Sequence, residues 1–594
     1  MNTQKQMPRG CGFLLTPVGT ETIFTPEDFT ADQRTFAKTA EDFMEKEIWP
    51  DVEHLEKLEP GLMVAKLKKA GELGLLMIDV PEEYGGIALD KTTSMLCSEK
   101  FATYPSFSVS HGAHTGIGTL PLLFFGNHEQ KSRYLPRLAT GELIAAYALT
   151  EPGSGSDALG ARTTATKTTR DGRDGYALNG TKMWITNAGF ADLFTVFAKV
   201  DGKHFTAFLV ERGYAGFSTG AEEKKMGLKG SSTRMLILED VFVPEENVLG
   251  EIGRGHKIAF NILNFGRFKL GVGACGGAKK SVEVAAKYAH ERKQFGVAIS
   301  SFGAIRQKFA DMAVSIYALE SMCYRVAGYM DTAIGVLDSS SPTYVQQMMD
   351  AIEDFAVEDS ILKVYGSECA DNVVDECVQV HGGYGYSAEY PAERAYRDSR
   401  INRIFEGTNE VNRMLIPGVL LRRVMKGEIP MFELVGRAQA TIAERVKAPA
   451  PAAAGLEREM FLAERAKELC AIVTQRAAMR HMADLKDQQE LLLALADMLT
   501  FVYGIDSTVA RVKQAADAGK AQPVHFALAQ VFTAESYAAL ISIARQLTPS
   551  ICDAAELEDA TAEVAAFDYT AATDVIGLKR VVADATLAMT RWSL

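Results

Sequence analysis

The residue best placed to do chemistry in this chain is a carboxylate flanked by apolar side chains on one side and a helix start on the other. Glu406 follows Ile404 and Phe405 and precedes Gly407, which admits backbone shapes and close approaches closed to other residues. Thr408 reads as a helix N-cap, with Asn409 and Glu410 in the first turn and Val411, Met414 and Leu415 at helical spacing behind it. The helix N-terminus favours the anion, whereas apolar surroundings and a bound ligand disfavour it. That competition turns a glutamate into a usable general base. A solvated glutamate ahead of a cap is the commoner occupant of such a place.

Two other stretches carry groups suited to a ligand. Tyr147-Ala-Leu-Thr-Glu-Pro-Gly-Ser-Gly-Ser156-Asp is a strand-like run that breaks into a Gly/Ser/Pro loop rich in N–H and hydroxyl donors. Such a loop cradles a flat polar ring or a phosphate, or is simply an exposed connection. Downstream, Met183-Trp184-Ile185-Thr186 sets an aromatic ring and a hydroxyl two residues apart, on one face of a strand. Trp184 either covers an aromatic cofactor or joins the core.

Other patterns point away from competing chemistries. Gly271-Val-Gly273-Ala-Cys-Gly276 matches GxGxxG, but it lies inside a continuous helical pattern from His256 to His290. A dinucleotide fingerprint needs a strand before it and a new helix after it. Small residues at 271, 273, 274 and 276 instead suit the close approach of another helix. His111 and His114 lack a third ligand at a sensible spacing, so no metal is expected. Neither a GxSxG elbow nor a Walker-type loop occurs.

The elements that position these residues follow from composition and periodicity. A chain of 594 residues exceeds one core, so two to four domains are expected. A net charge of −13 argues against a nucleic-acid partner, which needs clustered Lys and Arg. The eight cysteines form no CxxC pair, which fits buried thiols in a reducing compartment. Neither a signal-peptide core, a transit pattern nor a run of 18 apolar residues is legible, so a soluble cytoplasmic protein, at most peripheral to a membrane, is expected.

The fold class is mainly α with a central antiparallel β domain. After an extension over 1–27, helical spacing predicts a helical domain over 28–143, with helices near 61–74, 91–103 and 128–139. Period-two runs and turns at Asp171-Gly172 and Asn179-Gly180 predict the β domain over 144–250. Long helices at 255–290, 302–333, 343–380 and 408–426 predict a bundle over 251–445. An Ala/Pro linker at 446–456 leads to an additional helical domain over 457–594.

With these parts in place a resemblance becomes specific. The loop from Tyr147 to Asp157, the Trp184-Ile185-Thr186 strand, Asn264-Phe-Gly-Arg267, Glu291-Arg-Lys-Gln-Phe-Gly296, Gln379-Val-His-Gly-Gly383 and Phe405-Glu-Gly-Thr-Asn409 stand in the order seen in acyl-CoA dehydrogenases. The resemblance covers about residues 28–425, and the additional domain resembles the very-long-chain branch. It implies an N-terminal helical domain, a middle β domain and a four-helix bundle.

The resemblance implies FAD as cofactor and Glu406 as the base that takes the α-proton of an acyl-CoA thioester while the β-hydrogen leaves as hydride. The minority alternative places the base just before the arginine matched by Arg267, where this chain has Gly266. By the same resemblance Tyr147, Leu149, Thr150, Gly155 and Ser156 hold the flavin and its linker, with Trp184, Ile185 and Thr186 beside the ring. Arg292, Gln294, Phe295, Gln379, Gly382 and Gly383 match FAD contacts made partly across a subunit boundary, and Thr408 and Asn409 match contacts beside the base. Ser156, Asn264 and Arg267 match positions that reach CoA. Ser108 and Gly112, small residues at the pocket floor, imply a deep acyl pocket. A homodimer and an electron-transfer flavoprotein are the implied partners. An oxidase using O₂ and a non-catalytic respiratory-complex assembly protein are the competing readings.

Overall fold

Thr30 stops the chain entering its first long helix from fraying: its hydroxyl accepts from Gln33 N–H, and the Gln33 side chain accepts from Thr30 N–H. The computed structural model describes residues 7–444, 455–570 and 573–594. Helix α1 (Ala31–Phe43) buries Ala37, Ala40 and Phe43, the face that the apolar spacing marks. It packs on α3 (Lys91–Phe101), in a layer that also holds α2 (Leu62–Glu72), α4 (Pro105–Gly112) and α5 (His128–Ala139). His111 and His114 end buried in this layer, each with Nε2 on a backbone carbonyl, of Leu75 and Leu138 respectively. Burial holds both imidazoles well below their ordinary pKa, at about 3 and about 4.

The β domain has eight strands: β1 (Ala145–Ala148), β2 (Thr164–Arg170), β3 (Arg173–Thr186), β4 (Leu193–Val200), β5 (His204–Glu211), β6 (Phe217–Thr219), β7 (Thr233–Pro244) and β8 (Val248–Leu249). Their order is β6-β7-β3-β2-β4-β5-β8, with β1 beside β4. The sheet is antiparallel except that β1 and β2 both run parallel to β4, a departure from the antiparallel expectation. Asp171-Gly172 is a hairpin turn with both φ values positive, at 50° and 76°. Asn179-Gly180 is not a turn: β3 runs on through a bulge, and Asn179 Oδ1 accepts from Asp240 N–H at 2.8 Å. A Cβ on Gly180 would lie 2.5 Å from Thr163 Oγ1, which is why glycine sits there.

The bundle is built on α6 (Gly255–Glu291), 37 residues long, with α7 (Gly303–Gly335), α8 (Ala356–His381), α9 (Pro391–Ser399) and α10 (Asn409–Met425). Gly271 meets α8, where a Cβ would lie 2.9 Å from Leu362, and Gly276 meets α3, where a Cβ would lie 2.1 Å from Glu99 O. The GxGxxG match is therefore helix packing. Gly273 points elsewhere, with its nearest contact Ala102 Cβ at 3.7 Å. The helix expected over 343–380 breaks at Asp354-Phe355. Gly10 N–H donates to Asp354 Oδ2 there, and Arg423 donates to Asp354 O.

Residues 7–27 are thus not a loose extension. Phe13, Leu14, Val18 and Ile23 are buried, with Phe13 against Tyr503 of the additional domain. That domain comprises α12 (Glu457–His481), α13 (Gln489–Asp517), α14 (Pro523–Leu547) and α15 (Val575–Ala588), with short helices between, and the preceding α11 (Met431–Glu444) packs on α12. The linker expected at 446–456 lies, from 446 to 454, outside the described residues. Buried ion pairs tie the additional domain to the bundle, Arg325 to Asp506 and Arg511 to Glu320, while Lys467 shares Asp506 within the additional domain. Such pairs cost desolvation and fix orientation more than they stabilise. The expectation that no segment is apolar enough to cross a membrane needs correcting, because windows in α13 and in Pro523–Ser550 reach a mean hydropathy of 1.4. These windows are 78% and 56% buried within the protein, where they serve as core helices.

Candidate active site

Glu406 lies where a 3₁₀ turn (Arg400–Arg403) hands over to α10. It adopts φ 57° and Gly407 φ 81°, two consecutive left-handed residues before Thr408 caps the helix by accepting from Val411 N–H. A glutamate held there stores strain that its surroundings must overcome. Asn412 does so: its Nδ2 reaches the carbonyls of Glu406, Gly407 and Thr408 at 3.3, 2.9 and 3.0 Å.

The carboxylate itself is buried and Oε2 has no hydrogen-bond partner. It faces Gly266 of α6, where a Cβ would lie 2.6 Å from Oε2. Burial pushes the Glu406 carboxyl up to about 7, against the lowering pull of Arg267 and Lys363. Among the described residues its own N–H donates to no acceptor. Tyr147 is close enough for the Glu406 charge to raise its phenol, and its buried hydroxyl is also unpartnered.

Glu406 opens on a cavity of about 230 Å³ with mostly apolar walls. The α6 wall runs from Phe265 through Gly266, Gly273 and Gly277 to Val284, roughly 28 Å at 1.5 Å per residue. Helices α3, α4 and α9 supply the other walls, and Thr186 closes the β-domain side. Ser108 and Gly112 line this cavity, which continues past them to Trp49, Lys280 and Val284.

Sequence models of acyl-CoA dehydrogenases match this chain over its N-terminal domain (residues 30–142), middle domain (146–241) and C-terminal domain (253–421), and a further acyl-CoA dehydrogenase C-terminal domain matches 465–561. A probable acyl-CoA dehydrogenase of Bacillus subtilis is 49% identical over 507 residues, 85% of each chain. The chain belongs to the acyl-CoA dehydrogenase family. A rat mitochondrial very long-chain specific acyl-CoA dehydrogenase is 37% identical over 78% of this chain and 72% of its own. The crystal structure of a Bacillus anthracis acyl-CoA dehydrogenase complexed with FAD superposes with a TM-score of 0.94 at 47% identity, covering 99% of this chain and 100% of that one.

In this acyl-CoA dehydrogenase the residues expected at the cofactor fall into two groups. The first lies beside Glu406. Met183 N–H donates to Thr150 O, and Lys182 Nζ donates to Leu149 O and Glu151, which lock the end of β3 to the loop after β1. Gly155 and Ser156 stand exposed on that loop, and Trp184 is 60% exposed beside Thr186. The bulge in β3, with Trp184 at φ 56°, takes this ring out of the strict alternation expected of the strand. Ile185 is buried in the β-domain core, so only its main chain is left to meet a ligand. Thr408 stands between Glu406 and α10.

The second group is remote. Arg292, Gln294, Gly382 and Gly383 line a separate cavity of about 640 Å³, with Gln379 exposed one turn earlier and Phe295 95% exposed. Arg292 follows α6, whose 26-residue advance from Gly266 spans roughly 39 Å. The second group thus lies at the far end of α6 from Gly266.

Three expected contacts take other positions. Arg267 is buried behind the base, with Nε 3.4 Å from Glu406 O, and Asn264 Oδ1 accepts from Arg267 at 2.7 Å. Neither is among the residues that line the cavity. Asn409 spends its side chain on Lys363, Ser367 and Glu368. It ties α10 to α8. Lys363, which sequence reasoning missed, is pushed down to about 8 by burial and adds positive potential at Glu406. Its signal was a lone lysine in the apolar run Ile361-Leu-Lys-Val. Glu151 and Lys182, a buried pair at 2.6 Å that holds the flavin-side loop, were likewise missed.

The first group fits a flavin: an unpartnered Tyr147 hydroxyl, an exposed Trp184 ring, and Gly153 and Gly155 with no atom within 4 Å of a would-be Cβ. The second group offers Arg292, whose planar fork suits a diphosphate.

Proposed function

We propose that this FAD-dependent acyl-CoA dehydrogenase desaturates long-chain acyl-CoA thioesters to trans-2-enoyl-CoA in fatty-acid β-oxidation, passing electrons to an electron-transfer flavoprotein. The observation that carries the reading is the unpartnered Glu406 Oε2 on a mostly apolar cavity whose α6 wall runs from Phe265 to Val284.

Bound FAD supplies the acceptor for the β-hydride. Glu406 takes the α-proton, and its burial gives a carboxylate basic enough to accept that proton near neutrality. The free Glu406 N–H is available to the thioester oxygen as negative charge builds there. Arg267 and Lys363 keep part of the base ionised before substrate arrives. Phe265 and Phe405 wall the carboxylate from water, which strengthens these interactions. Tyr147, Thr150, Ser156, Trp184, Thr186 and Thr408 would hold the flavin end of the cofactor. Arg292, Gln294, Gln379, Gly382 and Gly383 of a second copy would hold the far end, which makes the working unit a homodimer.

The cavity wall supports the long-chain reading. Gly273, Gly277, Ser108 and Gly112 leave room that larger side chains would fill, so an extended long chain fits. Anaerobic mixing of the yellow protein with butyryl-, octanoyl- and palmitoyl-CoA tests the reading by flavin bleaching. Fastest bleaching by palmitoyl-CoA supports it; no bleaching by any of them overturns it in favour of the assembly role. Reoxidation of the reduced protein by an electron-transfer flavoprotein faster than by O₂ supports the dehydrogenase over the oxidase.

A further inference from the structure

Trp49 borders two cavities. It opens the short turn Trp49–Asp51 and packs, half-buried, against the hydrophobic core. Trp49, Thr103 and Lys280 line the acyl cavity of about 230 Å³ and also a second, larger one of about 730 Å³, bounded by α1, α6 and the C-terminal residues 590–594. Along α6 the two cavities take adjacent faces: Gly273, Gly277 and Ser281 line the first, Gly276, Lys279 and Glu283 the second, and Lys280 lies on the boundary. Lys280 is 14 residues beyond Gly266, roughly 21 Å along the helix from the residue that faces the base.

The Trp49 ring has neighbours that hold it in place. Lys280 Nζ and the Arg394 guanidinium each lie 5.9 Å from its centre, and the Tyr104 ring centre is 6.1 Å away. Both cations have carboxylate partners, Lys280 in Glu283 and Arg394 in Glu53. The large surface that Trp49 gives to the acyl cavity is therefore an apolar ring. Beyond it, Phe29, Ala37, Met44, Leu96 and Trp592 give the second cavity apolar wall. Charged groups there are matched: Lys279 with Glu99 and Glu320, Arg591 with Glu41 and Glu45, and Arg511 with Glu27. A hydrocarbon end entering that space displaces water without breaking these pairs.

We propose that Trp49 sets the upper limit of acyl chain length, its ring stopping an extended chain from passing out of the Glu406 cavity into the second one. This rests on the acyl-CoA reading of the Glu406 cavity. An extended palmitoyl chain ends before the level of Lys280 and Trp49, whereas a tetracosanoyl chain runs past it and meets the ring. Thr103 and Lys280 complete the boundary, but a threonine is small and a lysine stem is flexible. The indole is the rigid part, and its replacement by a methyl group joins the two cavities.

The experiment is anaerobic stopped-flow flavin reduction by palmitoyl-CoA and by tetracosanoyl-CoA, which differ in length alone, with wild type, Trp49→Ala and Trp49→Phe. Flavin content and thermal midpoint check the fold of each. Wild type is expected to be reduced more efficiently by palmitoyl-CoA. Trp49→Ala should raise the tetracosanoyl-to-palmitoyl ratio of kcat/KM by about tenfold, the scale of burying two further methylenes, and Trp49→Phe, which keeps a ring, should raise it less. The proposal is overturned if the ratio is unchanged in Trp49→Ala. It is equally overturned if tetracosanoyl-CoA reduces wild type as efficiently as palmitoyl-CoA, a comparison that needs no variant to fold. In both cases the acyl-CoA reading stands. Failure of both substrates with wild type overturns that reading and the length limit together.

Discussion

Gly266 and Glu406 occupy one space: a Cβ on Gly266 would lie 2.6 Å from Glu406 Oε2 and 2.9 Å from its carboxyl carbon. The absence of a side chain on α6 is therefore what allows the carboxylate of the 406 loop to enter the cavity. In this chain the two conceivable positions for a base exclude one another sterically. Gly266→Ala should displace the carboxylate, because the neighbouring atoms belong to a buried group with little freedom. The expected result is retained FAD with flavin reduction slowed at least about tenfold, the scale of a small misplacement, measured by anaerobic stopped flow.

The protonation of Glu406 predicts a pH profile. With the carboxyl raised to about 7 by burial, kcat/KM for reduction should rise with pH through roughly neutral values. Lys363→Met removes a cation that lowers this pKa, so the midpoint should move up. A midpoint that moves down or stays fixed would show that Lys363 does not act on the base.

The same shift has a stability consequence. A carboxyl raised in the folded state binds its proton more tightly there than when unfolded, so its contribution to stability falls as pH rises from about 4.5 to about 7. Glu406→Gln removes that loss. Its stability relative to wild type should therefore be higher at pH 8 than at pH 4, by on the order of 2 kcal/mol, measured by denaturant unfolding at the two pH values.

The Lys182 and Glu151 pair, 0% and 6% exposed, should be essential to the flavin-side loop. Lys182→Met leaves the Glu151 charge buried with only Thr163 and the Arg162 N–H to satisfy it. Destabilisation of about 3 kcal/mol or more is expected, with loss of FAD on gel filtration. Calorimetry and the flavin absorbance check the two effects.

Much of the fold was legible because helices and strands bury faces at fixed periods, and the capped start at Thr408 is visible in sequence. Tertiary choices were not. Asn179-Gly180 has the residues of a hairpin turn, yet Thr163 and Asp240 make it a bulge. The parallel placement of β1 and β2 against β4 leaves no local signature. The break before α8 depends on Gly10, over three hundred residues away. At the site, Glu406 could be singled out by its neighbours, but Arg267, Asn264 and Asn409 carry no mark in sequence of the intramolecular partners their side chains take.

The separation of Arg292 from Glu406, about 40 Å along α6, predicts complementation between subunits. Arg292→Ala should bind FAD poorly and Glu406→Gln should hold FAD without reducing it. Mixed through mild dissociation, the two variants should regain part of the activity, because hybrid dimers contain one site with both native residues. No recovery in a mixture shown to exchange subunits would contradict a shared site.

The central claim is that Glu406 is the base. Its most direct measurement is anaerobic flavin reduction of Glu406→Gln by palmitoyl-CoA, with substrate binding followed separately by the perturbation of the flavin spectrum. The account predicts bound FAD, a binding perturbation like that of wild type, and reduction slowed by at least about 10²-fold, the lower range for a general base. Reduction at a substantial fraction of the wild-type rate would contradict it and place the base elsewhere.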